Sequence, residues 1–224
     1  MREGFLARLR SPERGRAMFQ GIAGEEAIML PILAEVEQYG DPVEVHFMLH
    51  ELLTTYLYYR AVDRIRDVLR RIDDLHFIPD GGCWPSIPQR LYKHDILPEL
   101  IEPYIRKAEI YVLALPESRG RREDLYSLRS LELAYYARYD PHNERIGFLL
   151  KEIDQLRKGL RQYNKYLLAA LETLISMGVS DELLPDILSG LKGSIRYCIR
   201  TWAQPEQARR DAQTVENLLR QLSR

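Results

Sequence analysis

Cysteine, lysine and asparagine are scarce in this chain. Only Cys83 and Cys198 occur among 224 residues, and they form no CxxC pair. A disulfide framework and a four-cysteine zinc site are thereby excluded, and the two thiols are expected to be packed in a reducing, cytoplasmic setting rather than bridged. Lysine appears six times against 26 arginines, and asparagine three times. A thermophilic source and a GC-rich genome both account for that bias. No apolar run approaches the roughly 18 residues of a membrane span. The stretch Met1–Arg16 is charged and has no apolar h-region, so neither a signal peptide nor a membrane segment is expected. The net charge of −1 provides no global field toward nucleic acid or membrane. There is also no Gly-rich phosphate loop and no GxSxG nucleophile motif.

What is present is the composition of a folded protein, 46% hydrophobic and 29% charged. Period-2 alternation is missing and helical punctuation is frequent, so the expected fold class is all-α, a multi-helix bundle of about seven to nine helices. Ser11-Pro12 opens a short helix to about Gln20. Gly24 precedes a helix over 25–39 that Gly40 stops and Pro31 kinks. Asp41-Pro42-Val43-Glu44 combines an N-cap, a proline at N1 and the return arm of a capping box. Behind it, Val45, Leu49, Leu52, Tyr56, Tyr59, Val62, Ile65, Leu69 and Ile72 predict one long helix to about Leu75. Three prolines and two glycines in 77–89 predict an irregular segment containing Cys83-Trp84, with Phe77, Trp84 and Ile87 as a hydrophobic plug.

Helices follow near Arg90, over 98–115 and over 123–139, with 116–122 as a basic loop. Asp140-Pro141 repeats the cap-plus-proline start. Ile146, Leu149, Ile153, Leu156, Leu160, Tyr163, Leu167, Ala170, Leu174 and Met177 then keep 4-3 spacing. That predicts a second long, coiled-coil-like helix to Met177, serving either as a core hairpin or as a dimer seam. Ser180 caps a helix to about Ala203, and Pro205 opens the last one. The expected organisation is one helical domain over 1–224 with two long helices as its spine. A subdivision into 1–76 and 90–224, joined by 77–89, is the alternative. Phe47-Met48-Leu49-His50-Glu51-Leu52 parallels Phe148-Leu149-Leu150-Lys151-Glu152-Ile153, which either duplication or chance amphipathicity explains.

Charge is laid out unevenly. No Lys or Arg lies between Arg16 and Arg60, while that stretch holds Glu25, Glu26, Glu35, Glu37, Asp41, Glu44 and Glu51. Arg60, Arg64, Arg66, Arg70 and Arg71 follow at once, opposed by Asp63 and Asp67. This order complements a helix macrodipole. It also suits a contact surface. Arg60, Arg64, Arg70, Arg71, Arg119, Arg121, Arg122, Arg157, Arg161 and Lys165 are candidates for phosphate contacts. Tyr56, Tyr58, Tyr59, Tyr163 and Tyr166 could stack on bases, and Trp84 could serve as a partner-binding knob.

Catalytic candidates are few. His46 and His50, four apart on one helix face, could share a metal with Glu35, His76 or His94. His94-Asp95 resembles the doublet of HD-type phosphohydrolases, which are all-helical. The resemblance implies an earlier His and a later Asp, roles open to His50 and Asp140. Lys93 and the following Ile-Leu-Pro depart from the usual setting. Arg71 and His76 show the Arg-x4-His spacing of HEPN-type ribonucleases, which implies a dimeric site at a scissile phosphate. Here Ile72 stands where that class favours a polar residue. Asp63, Asp67, Asp73 and Asp74 are similar to the magnesium-binding acids of isoprenoid synthases, without a second acidic motif. Each resemblance covers a few residues only.

The expectation is therefore a non-catalytic interaction or assembly subunit that needs no cofactor and binds a protein partner or itself through helix faces. DNA or RNA binding through Arg-rich faces is the alternative, and a helical phosphohydrolase or ribonuclease the third reading.

Overall fold

A computed structural model describes residues 7–75, 86–160, 162–201 and 206–223. Among these residues there are twelve helices and no strand, with 82% of the structure helical. The all-α expectation holds, and the expected count of seven to nine is too low. The helices are α1 (residues 7–9), α2 (Pro12–Met18), α3 (Ile22–Tyr39), α4 (Pro42–Tyr58), α5 (Val62–Asp74), α6 (Ser86–His94), α7 (Pro98–Ala114), α8 (Arg119–Tyr139), α9 (Arg145–Arg157), α10 (Lys165–Ser176), α11 (Leu184–Thr201) and α12 (Glu206–Leu222). No described helix is long and apolar enough to cross a membrane.

The count exceeds expectation because both predicted long helices are interrupted and a short helix over 7–9 precedes the first expected one. The first ends at Tyr58. Arg60 takes φ +55°, the Ala61 amide donates to the Tyr56 carbonyl at 2.9 Å, and the Arg60 amide donates to Leu57. This is a Schellman closure with arginine where glycine is usual. The second is broken over 158–164. Gly159 adopts φ +83°, and the Asn164 side chain caps α10 by accepting from the Tyr166 and Leu167 amides. A continuous coiled-coil-like helix is thus ruled out, although the apolar stripe survives as two shorter faces.

Local chemistry explains the other boundaries. Asp41 and Glu44 form the predicted reciprocal capping box. Asp140 does not open a helix. It closes α8 as C-cap, and α9 begins only at Arg145. Residues 119–122, expected as loop, are the first turn of α8 because Ser118 caps it through the Arg121 amide. Helix also replaces loop at Ser86–Gln89, where Pro88 sits in the first turn of α6 and needs no intrahelical acceptor. Phe77, Cys83 and Trp84 lie outside the described residues. Cys198 is buried and free.

The chain divides into two compact units, Met1–Ile101 and Glu102–Arg224. In the first, α4 is central: it packs on α3, α5 and α6, and α2 packs on α3. Met29, Leu33, Met48, Leu49, Leu53, Ile65, Ile72 and Leu91 are fully enclosed there. In the second, α8 is flanked by α9 and α10, while α11 and α12 form a hairpin that meets α9 and α10.

Candidate functional site

The acidic stretch of the first unit is neutralised internally. Arg8 pairs with Glu35, Arg14 with Glu25 and Glu51, Arg64 with Glu26 at 3.2 Å, and Arg71 with Glu37. Arg66 meets Glu99 and Arg70 meets Asp67, each at 2.6 Å. The basic face predicted along Arg64–Arg71 is therefore engaged in ion pairs, Arg64 and Arg71 with acids of α3, Arg66 with Glu99 and Arg70 with Asp67. Arg60 stays exposed at the turn between α4 and α5. Tyr56 is buried and donates to Glu26 at 3.0 Å. Its hydroxyl is pushed up to about 12 by burial first and then by that glutamate.

His46 and His50 lie inside this unit, 1% and 4% exposed, with ring centroids 4.6 Å apart. Burial lowers His46 to about 4. Burial, then the neighbouring His46 and Arg90, lowers His50 to about 3. Both rings are neutral at physiological pH. Glu35, the nominated third ligand, is half exposed and paired with Arg8, and no group of three or more metal-ligating side chains occurs among the described residues. His94 is half-buried and its pKa is lowered, chiefly by burial and then by Lys93, Arg60 and Arg90. Asp95 sits exposed at φ +52°, closing α6, so a backbone role accounts for its place. Asp140 belongs to the other unit. Arg71 is tied to Glu37, and His76 lies outside the described residues.

The second unit carries its charge inside. Glu132 is 0% exposed and Arg129 5%. Glu132 is held by Arg106 at 2.8 Å, Arg129 at 2.9 Å and Arg145. Arg129 also binds Glu109 and, at 2.8 Å, Glu152. Tyr136 donates to Glu102 at 2.7 Å. Burial works against charge on Arg129, but the hydrogen bond to Glu109 and the surrounding carboxylates raise its pKa. Three arginines interleave with the carboxylates of Glu102, Glu109, Glu132 and Glu152, which reads as architecture rather than as a reactive centre.

The same unit brings several sequence-nominated residues together. Arg119, Arg121 and Arg122, at the start of α8, line a cleft of about 590 Å³ with Glu117, Ser118, Leu125, Leu156, Gly159 and Leu160. Arg122 donates to the carbonyls of Leu156 at 2.9 Å, Gln155 at 3.2 Å and Lys158, satisfying the end of α9. Arg121 donates to the Leu115 carbonyl at 3.1 Å. Arg157 and Lys158 are both paired with Asp154. Lys165 lies over the Tyr166 ring at 5.3 Å, Tyr163 donates to buried Asp211, and Arg161 is outside the described residues.

On the first unit, sequence reasoning nominated Tyr58 and Tyr59 for stacking and passed over Met18 and Phe19, which share their surface. Phe19 is 94% exposed and Met18 beside it 52%. The Tyr59 hydroxyl donates to the Met18 carbonyl at 3.1 Å, and the Tyr58 ring, 68% exposed, meets Tyr59 edge-on at 5.0 Å. The available signal was the apolar pair Met18-Phe19 at the very end of a short, otherwise charged helix. No protein-family model, curated protein or solved structure matches the chain.

Proposed function

We propose that this protein is a non-catalytic interaction subunit that pairs with a second copy of itself through the surface built by Met18, Phe19, Tyr58 and Tyr59. The observation that carries this reading is the exposure of Phe19. A phenylalanine side chain left 94% open forgoes most of the roughly 1.5–3 kcal/mol its burial provides. Aromatic side chains gathered with methionine are the composition of interface centres.

The rim supports a self-complementary contact. Exposed Glu13 and Arg16 on α2, and exposed Arg60 and Asp63 at the α4–α5 turn, supply both signs of charge on the segments that carry the apolar residues. With the two signs on opposite sides of a two-fold axis, each would meet its opposite in the second copy. The test is sedimentation velocity of the full chain across the micromolar range, with Phe19→Ser and Tyr58→Ser as variants. A dimer that both substitutions convert to a folded monomer is expected. A wild-type monomer at every concentration contradicts the reading, as does a dimer unaffected by Phe19→Ser.

A further inference from the structure

We infer that the cleft at the start of α8 binds a small organic oxyanion, a phosphomonoester with an apolar body. The first observation is the state of its arginines. Arg121 and Arg122 are half-buried, and among the described residues neither makes an ion pair. Their hydrogen bonds run to backbone carbonyls, which fix the guanidinium groups without cancelling their charge. Arg121 uses only Nη1 and Arg122 only Nε and Nη2. The remaining donors of each planar fork are left for a ligand, and holding the fork in place beforehand lowers the ordering cost of binding. The arginines of the Glu132 cluster in the same unit are, by contrast, matched to carboxylates.

The second observation is the floor. Leu125, Leu156 and Leu160 are all half-exposed and line the same cleft. Leu156 and Leu160 belong to the apolar stripe of α9 and α10, whose neighbours Leu149, Ile153, Leu167 and Leu174 are fully buried. The break at Gly159 leaves these two uncovered beside the arginines. A basic rim over an apolar floor, within about 590 Å³, suits an amphipathic anion of small-molecule size. The N-terminal end of the α8 macrodipole adds to the positive potential. Two guanidinium charges match the two negative charges of a phosphomonoester, whereas Glu117 on the lip opposes them.

Titration of the full chain with phenyl phosphate, inorganic phosphate, phenol and a short single-stranded oligonucleotide tests this, followed by calorimetry and amide chemical shifts. Phenyl phosphate is expected to bind more tightly than inorganic phosphate or phenol, shifting amides over 117–122 and 156–160. Arg121→Gln should weaken it by about tenfold, the usual weight of a hydrogen bond to a charged group. Glu117→Gln, at an exposed position, should strengthen it severalfold, which keeps the proposal testable if Arg121→Gln fails to fold. Absence of phenyl phosphate binding, equal affinity in Glu117→Gln, or tighter binding of the oligonucleotide would each overturn the assignment.

Discussion

The two units solve one electrostatic problem in different ways. In each, an arginine links a buried glutamate to the glutamate of a Phe-x-Leu-x-Glu segment. Arg14 joins buried Glu25 to Glu51. Arg129 joins buried Glu132 to Glu152. The first unit stops there and spreads its other ion pairs singly over its surface, two of them between α3 and α5. The second gathers three arginines onto Glu132. A buried carboxylate with one arginine depends on that single partner. One with three is redundant toward any single loss but costly to unmatch from the carboxylate side.

The largest effect should come from breaking the denser cluster at its centre. Glu132→Ala leaves three arginines crowded around an empty position, and a loss of about 3–5 kcal/mol is expected in denaturant unfolding. Equal stability of that variant and wild type would remove the cluster from the account. Arg14→Met strands Glu25 but leaves Glu51 partly solvated, so a smaller loss, about 1–3 kcal/mol, is expected.

Acid sharpens the contrast further. His46 and His50 have folded-state values depressed to about 4 and about 3, against an ordinary 6.5. The unfolded chain takes up protons first as pH falls, so their contribution is complete above about pH 6.5 and is lost progressively down to the folded values. Urea midpoints should therefore drop between pH 7 and pH 5 in wild type, and drop less in His46→Gln/His50→Gln. A parallel decline in both proteins contradicts that assignment. The smallest effect belongs to the surface pairs. Arg70→Gln, which removes the exposed Asp67 contact, should change stability by less than about 1 kcal/mol.

Much of the helical architecture was legible in the residues themselves. The Asp41–Glu44 box, the stop at Gly40 and the absence of strands among the described residues follow from local chemistry that tertiary contacts do not override. The interruptions were harder to see. Gly159 was readable as a breaker, but the 4-3 stripe continued on both sides of it because α9 and α10 each bury one face. Arg60 carried no such signal, since a Schellman closure without glycine looks like helix in sequence. Asp140-Pro141 matched a helix start by composition and instead closed the preceding helix. Ion pairing was the least legible part. Arg129 and Glu132 look like a surface pair three apart, and nothing local reveals that Glu109, Arg145 and Glu152 converge on them. The cleft was half visible: Arg121 and Arg122 were nominated for charge, while the role of Leu156 and Leu160 depended on the break between α9 and α10.

The contrast between the units also bears on contact. The first pairs its acids with its own arginines and leaves Phe19 in water. The central claim is that a second copy covers that side chain. A ¹⁹F label on Phe19, followed by NMR across a dilution series with a soluble paramagnetic agent, tests it most directly. The account predicts that the label is protected at high concentration and becomes accessible on dilution, with a midpoint matching dimer dissociation by sedimentation. A label equally accessible at all concentrations would contradict it.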